Sequence, residues 1–354
     1  MEKKLRIGMV GLGGMGGHHF NCHLRNPRVE IVALCDIIEE RATHPIEEHH
    51  LNAKAYTDFK EMIDNEELDA VDIATPNYLH SIIAVYAMER GLHVFCEKPD
   101  AVSVEEAEKM KAASEKYNRI LMVMRNNRYY TNSQYLKKVI ASGECGDIYC
   151  GRCGWIRRRG IPGKGGWFTT KAQSGGGPLI DLGVHMIDLS IWLMGNPTPV
   201  AVSGCTYNKF ANDDAQADSE HSKFGDAKED GTFDVEDLAM GFIRFDNGAC
   251  LQIEFSWASN IERETRFVEL RGTKAGIKWS DNGSADIYGE ENGRLTNVNR
   301  TCDMGDGHEA ALRHFTAMVL DGAEPDYVPE QGVNMIKILQ AIYESAKTGH
   351  EVIL

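Results

Sequence analysis

No stretch of this sequence approaches the roughly 20 consecutive apolar residues that a membrane-spanning helix needs. Positive charge is also short: 38 Lys and Arg against 53 Asp and Glu give a formal net charge of −15. The first absence excludes a helical membrane span. The second argues against nucleic acid or an anionic membrane as partner, because both need clustered Lys and Arg. There is no internal repeat and no low-complexity tract. The start, MEKKLRIGMVGLGG, is basic, but glycines cut its apolar run short, so it fails as a signal peptide. Nine cysteines without a secretion signal read as reduced thiols, which places the protein in the cytoplasm. Cys145, Cys150 and Cys153 have a C-x4-C-x2-C spacing seen in some iron–sulfur proteins, but no fourth cysteine lies nearby. "DIYCGRCGW" reads instead as a strand whose cysteines act as small core residues. His18, His19 and His23 stand at possible zinc-ligand spacing, yet they read as helix-surface or packing residues, and no metal is expected.

What is present points to two soluble domains. The chain has 354 residues, more than one ordinary core accommodates, with 42% hydrophobic and 26% charged residues. In the first third, short strands apolar on both faces (5–10, 30–35, 70–74, 93–96, 120–124) alternate with helical stretches at 81–90 and 104–117. Gly91 offers a C-cap for the first helix, and Ser103 with Glu106 a capping box for the second. That alternation predicts a doubly wound parallel sheet of Rossmann type over residues 1–127. Residues 128–354 predict an α+β domain with a large, open, mainly antiparallel sheet, its strands at 200–207, 238–245, 249–257, 266–271 and 277–280. Helices are expected at 132–142, from near Asp181, at 308–320 and at 333–348, and the acidic stretch 212–231 reads as a solvated insertion. In "LQIEFSWAS", Ile253, Phe255 and Trp257 share one face of a strand. With one sheet face open, such an apolar face predicts a homo-oligomer, dimer or tetramer, built sheet to sheet.

Gly11, Gly13 and Gly16 form G-x-G-x-x-G between a strand and a helix, and Asp36 closes the next strand 20 residues after Gly16. In that context the motif is a dinucleotide fingerprint. Gly11 makes the turn, Gly13 admits the pyrophosphate to the backbone, and Gly16 lets helix and strand pack closely. Gly14 and Met15 lie between them at the helix N-terminus, where phosphate is favoured. Asp36 accepts from ribose hydroxyls and is followed by Ile37 rather than a cation, which favours NAD over NADP.

Three further stretches carry chemistry. "TPNYLH" places Thr75, Asn77 and His80 just beyond a strand, at the end that faces the ligand crevice. A loop proline with a helix-capping Asn explains the same letters equally well. "CEKP" places Lys98 at another strand end, followed by Pro99. "GGGPLIDLGVHMIDL" sets Asp181 and His185 four apart, on one helix face, where a carboxylate orients and supports an imidazolium; a bare D-x-x-x-H also fits a surface Asp–His pair or a cap, but the glycines and apolar neighbours point to partial burial.

With these pieces in this order, the chain resembles the Gfo/Idh/MocA oxidoreductase family over nearly its full length. The resemblance implies a catalytic set of Lys98, Asp181 and His185 and cofactor contacts from Asn77, His80 and Glu97. It implies a secondary hydroxyl of a sugar, cyclitol or related polyol as the reacting group. Arg128, in "RNNRY", is implied to face the active site. From "RRRGIPGKGGWFTTKAQSGGG", Arg158, Lys164, Trp167 and Lys171 are nominated as substrate contacts. In the expected reaction His185 is the general base, Asp181 orients it, Lys98 stabilises the developing alkoxide, and NAD takes the hydride. Two other readings fit the same letters: a redox-neutral glycoside-cleaving enzyme that uses NAD transiently, and a non-catalytic NAD-binding regulator.

Overall fold

A computed structural model describes residues 3–212 and 224–354. The chain divides into two compact units, 1–124 with 308–336, and 125–307 with 337–354. The first unit thus takes a second segment from far along the chain, where the sequence pattern suggested a single boundary after residue 127.

The first unit is built on six parallel strands: β1 (Leu5–Val10), β2 (Val29–Cys35), β3 (Lys54–Tyr56), β4 (Ala70–Ile73), β5 (His93–Cys96) and β6 (Leu121–Val123). Their order is β3-β2-β1-β4-β5-β6, so the direction of winding reverses between β1 and β4. Ligands of doubly wound sheets bind beyond the strand ends at such a reversal. Leu5, Ile7, Ala70, Val71, Ile73, Val94 and Phe95 are all buried, as expected of strands covered on both faces. The covering helices are α1 (Gly14–Leu24), α2 (Glu39–Glu48), α3 (Phe59–Asn65), α4 (His80–Glu89) and α5 (Val104–Tyr117). Ser103 caps α5 by accepting the Glu106 N–H at 3.2 Å. The Glu106 carboxylate turns instead to Ser81 and Lys109, so only half of the expected capping box forms.

The returning segment supplies α9 (Gly307–Asp321) and the start of α10 (Pro329–Thr348). Phe315 packs edge-on against Phe95 at 5.4 Å, Arg28 forks onto Asp321 with two 2.7 Å bonds, and the Tyr327 hydroxyl donates to Asp100 at 2.6 Å.

The second unit carries α6 (Thr131–Ala141), β7 (Ile148–Ile156), the short α7 (Lys171–Ser174), α8 (Val184–Leu193), strands β8 (Pro199–Tyr207), β9 (Leu238–Phe245), β10 (Cys250–Ser256), β11 (Thr265–Gly272), β12 (Gly276–Ser280), β13 (Ser284–Glu291), β14 (Arg294–Thr301), and finally β15 (Val352–Ile353). The sheet runs β14-β13-β12-β11-β7-β10-β9-β8-β15. Its neighbours are antiparallel except β7 and β10, which run parallel with Cys153 beside Ile253 and Trp155 beside Phe255.

Ile253, Phe255 and Trp257 are wholly buried. The apolar side of this strand is therefore the covered one. Its other side shows Gln252 and Glu254, next to Arg152 and across from it Glu269. The argument for sheet-to-sheet assembly from an exposed apolar face of β10 does not hold. Cys150 and Cys153 fall on opposite faces of β7, and Cys145 and Cys153 are buried, so the three thiols do not converge as cluster ligands. Of the acidic insertion, 213–223 lie outside the described residues. The rest is more than a solvated loop: Lys228 N donates to Lys164 O at 2.9 Å, and Phe224 packs on Phe168 at 5.6 Å.

One buried ion cluster fixes α8. Asp188 accepts from Arg125 Nε at 2.9 Å and from Arg128 Nε and Nη2 at 2.8 and 2.7 Å. Their side chains are 2%, 1% and 5% exposed. The Asp188→Ala variant strands two guanidinium charges in the core. It is expected to lose about 3–5 kcal/mol of stability, read by urea denaturation against the wild type.

Candidate functional site

In the first unit, β1 ends at Val10 and the chain turns straight into α1. A Cβ on Gly11, whose φ is +89°, would stand 2.6 Å from the Ala74 carbonyl oxygen, and one on Gly16 would stand 2.0 Å from the Gly11 carbonyl oxygen. Both positions admit only glycine. At Gly13 the space is open instead: among the described residues, no atom lies within 4 Å of where a Cβ would stand. No side chain among those residues caps the first turn of α1, and that turn carries no acid. Its N–H groups, from Gly14, Met15 and Gly16, and the positive end of the helix suit an anion. Asp36, just past β2, is 7% exposed and accepts from Leu12 N at 2.8 Å and from Ile38 N at 2.9 Å. Its carboxylate thus braces the glycine turn, and its neighbour Ile37 is fully in solvent at 88% exposure. This set fits a dinucleotide.

Beneath the turn lies a group that spacing alone did not reveal. His19, wholly buried in α1, sets Nδ1 at 3.1 Å from both oxygens of Asp72 on β4 and Nε2 at 3.0 Å from Glu97 Oε1. His23 Nε2 adds a 2.8 Å contact to Asp72. Both His19 nitrogens face carboxylates, so both carry protons and the ring is an imidazolium. Burial alone would drive the proton off, but Asp72 and then Glu97 outweigh it and push the pKa up to about 10. Burial would likewise raise Glu97, yet the His19 hydrogen bond and charge hold it at about 2. Asp72 stays well below the usual carboxylate range for the same reason. The second oxygen of Glu97 takes the backbone N–H of Lys98 at 3.0 Å. The chain of contacts runs from the glycine helix to the backbone of Lys98, which is itself half-buried. His19 is therefore an ionic core group, and His23 is a buried hydrogen-bond partner of Asp72, rather than a surface residue.

His80 is also wholly buried, with Nδ1 2.8 Å from Pro99 O and Nε2 3.0 Å from Thr75 O. Burial pulls its pKa below the ordinary value, so the ring is neutral and donates to one carbonyl at a time. His80 joins the two strand-end turns that bear Thr75 and Lys98. Asn77, in the short turn before α4, is buried at 7% exposure.

In the second unit, Asp181 lies in a π-helical turn, Leu179–Gly183, that runs into α8 with His185. Leu182, Gly183 and Val184 are buried, while Asp181 and His185 are half-exposed, so the pair shares the open side. Such turns recur at functional sites. Trp257 Nε1 donates to Asp181 Oδ2 at 3.0 Å. The Trp155 ring lies 6.2 Å from the His185 ring and donates its N–H to Glu264 at 2.7 Å. Arg157 and Arg266 sit 4.9 and 4.1 Å from the Trp155 ring centre. Burial lowers the Arg157 pKa, against the pull of Asp181 and Glu264. Asn127 donates to the His185 carbonyl at 3.3 Å and accepts from Arg266 at 2.6 Å. Asp181 and His185 thus stand half-exposed among aromatic and guanidinium groups.

The nominated substrate residues fall out differently. Arg128 is 1% exposed and bonds Asp188 of α8 through Nε and Nη2. Arg158 is exposed and donates to Glu262 O at 3.2 Å, whereas its neighbour Arg157 is the one turned inward. Strand alternation through Cys153, Trp155 and Arg157 was the signal for that choice. Trp167 is half-buried and stacks on Phe168 at 3.8 Å, Lys164 is half-buried, and Lys171 is exposed, 5.2 Å from the Tyr343 ring centre.

Two family profiles match the chain: "Oxidoreductase family, NAD-binding Rossmann fold" over 5–125 and "GFO/IDH/MocA C-terminal domain" over 133–278. Escherichia coli D-glucoside 3-dehydrogenase is 32% identical over 351 residues, covering 98% of this chain and 97% of that one. Levoglucosan dehydrogenase of Pseudarthrobacter phenanthrenivorans is 29% identical over 285 residues, covering 78% and 73%. A levoglucosan dehydrogenase structure, in complex with NADH and levoglucosan, superposes with a TM-score of 0.87 at 24% identity, covering 99% of each chain, and so shares the fold.

The His19 cluster generates a pH prediction. An imidazolium with a raised pKa stabilises fully below its unfolded value of 6.5, and that contribution fades as pH rises to about 10. Glu97, with a depressed pKa, stabilises above its unfolded value of 4.5 and loses its contribution as pH falls to about 2. The wild-type denaturation midpoint is thus expected to fall on the alkaline side from 6.5 upward. His19→Gln is expected to lower the midpoint near pH 6 and to abolish most of that alkaline slope. An unchanged slope in the variant would remove His19 as its source.

Proposed function

The chain belongs to the Gfo/Idh/MocA oxidoreductase family, and on that premise we propose that it oxidises a secondary ring hydroxyl of a sugar, with the 3-hydroxyl of a D-glucoside as first candidate. The observation that carries the substrate class is the full-length similarity to D-glucoside 3-dehydrogenase. Bound NAD accepts the hydride in this chemistry. Gly11, Gly13, Gly14, Met15 and Gly16 would hold its pyrophosphate at the start of α1, and Asp36 would take the ribose hydroxyls and repel a 2′-phosphate. Thr75, Asn77 and Glu97 line the cofactor side of the strand ends.

In the proposed mechanism His185 removes the hydroxyl proton as general base. Asp181, held by Trp257, orients the imidazole and supports its charged form. Lys98 hydrogen-bonds the reacting oxygen and favours the developing alkoxide. The loop from Arg157 to Lys171 supplies donors for further hydroxyls, and Trp167 a ring face for sugar C–H groups.

His185→Ala is expected to lower kcat by about 10²–10⁴, the range for losing a general base. Single-turnover NADH formation with methyl glucosides and free aldoses reads this, with NAD binding measured in parallel and unchanged. Lys98→Ala is expected to fall in the same assay. Wild-type turnover by His185→Ala overturns the base assignment, and no NADH from any glycoside, aldose or cyclitol overturns the dehydrogenase reading. Asp36→Ala is expected to weaken NAD by about 1–3 kcal/mol, one charge-assisted pair, and to narrow its margin over NADP. Fluorescence titration of both cofactors checks it.

A further inference from the structure

The glycine triplet Gly175–Gly177 precedes the Asp181 turn, and the reaction proposed above gives it no part. The structure shows what it makes room for. A Cβ on Gly176 would lie 2.0 Å from the Tyr343 hydroxyl, and one on Gly177 would lie 2.0 Å from the Glu236 carbonyl oxygen. Glu236 enters the space left open. It is 7% exposed, and its carboxylate accepts from Gly177 N at 3.0 Å and Leu179 N at 3.1 Å. Tyr343, from α10, donates its hydroxyl to Glu236 Oε1 at 2.8 Å.

These two backbone N–H groups open the π-helical turn, and such groups have no partner within a helix of their own. A single buried carboxylate satisfies both and pins the turn in place. The next residue works from the other side. Asp237 O accepts the backbone N–H of Trp257 at 2.9 Å, and the Trp257 indole is the donor to Asp181. Asp237 Oδ2 in turn holds the N–H groups of Lys209 and Phe210 at 2.5 Å each. The dipeptide Glu236-Asp237, at the entrance to β9, therefore reaches Asp181 by two routes: through the helical turn that carries it and through the indole that bonds it.

We propose that Glu236, with Tyr343 as its hydrogen-bond donor, is a positioning residue that sets Asp181 relative to His185. The proposal rests on the reading of Asp181 and His185 as the proton-transfer pair. It touches neither substrate nor cofactor; it acts through the turn. A carboxylate is needed because both oxygens accept at once. An amide has one acceptor oxygen, so in Glu236→Gln one backbone N–H meets an NH2 group and the turn shifts. A displacement of about 1 Å at a reacting group costs on the order of 100-fold in rate.

The test uses the full-length protein carrying Glu236→Gln, Tyr343→Phe or His185→Ala. The His185 ring is titrated by NMR without cofactor, and kcat, KM and the NAD dissociation constant are measured on the best glycoside. Glu236→Gln is expected to move the His185 midpoint away from its wild-type value and to lower kcat by about 10–100-fold, with NAD affinity within twofold of wild type. Tyr343→Phe, which keeps both backbone bonds, is expected to move both readouts in the same direction by less. An unmoved His185 midpoint in a folded Glu236→Gln overturns the proposal. If that variant does not fold, an unmoved midpoint in Tyr343→Phe does so instead. The two readings separate cleanly. Loss of turnover in His185→Ala with a normal midpoint in Glu236→Gln sinks positioning alone. Normal turnover in His185→Ala with a shifted midpoint in Glu236→Gln sinks the base assignment and leaves the positioning standing.

Discussion

A charged imidazole with no access to water is the constraint around which the first unit is arranged. His19 comes from the glycine helix, Asp72 from β4 and Glu97 from the end of β5. No member can be removed without leaving a buried charge uncompensated, and such a charge costs far more than any surface pair is worth. The strand ends, the helix and the Glu97-Lys98 turn are therefore set by one electrostatic requirement. Apolar packing fills the sheet faces, as with Phe95 against Phe315, but packing alone tolerates small slips. Two carboxylates on one ring do not.

The second unit meets the same need with different means. Its acid–imidazole pair is half-open to solvent and so cannot be locked by burial. It is held from behind instead: Asn127 on the His185 carbonyl, Trp257 on the Asp181 carboxylate, and Asp188 with two arginines lower in α8. Each of these groups is polar and each is satisfied, which is what makes a buried polar frame specific rather than costly. The frame holds the segment that carries Asp181 and His185 from the protein's interior.

Local signals in the sequence were enough for much of this. The glycine turn, Asp36, the capping Ser103 and the strand that ends at Lys98 all depend on neighbours within a few residues. The misses have nameable causes. Strand β3 is short and exposed, and α2 has Pro45 inside it, so neither shows a clean period. Strand β14 is mostly exposed, with Leu295 at 89%, β13 mixes half-buried and exposed positions, and both lack the sustained apolar alternation that marks a strand with one buried face. The parallel pairing of β7 with β10, the His19 cluster and the Arg128–Asp188 pair join residues far apart in sequence. Charge that looks like surface or active-site chemistry in a linear reading turned out to be paired in the core. Conversely, the apolar stripe of β10 was legible, but which side the helices cover was not.

The first unit is closed by a segment that the ribosome delivers long after the rest of that unit. Residues 308–336 complete it, and all of 125–307 is made in between. At 5–20 residues per second that interval is about 10–40 s. During it the nascent sheet lacks α9, so Phe95 stands without Phe315 and Asn26 without Thr316. The dinucleotide-binding half thus emerges first but stays incomplete until its returning segment is made. While its own final helix is still in the tunnel, the intervening half has already left it whole except for its C-terminal strand and helix end. The apolar surface waiting for α9 is the one that a nascent-chain chaperone would meet during that interval.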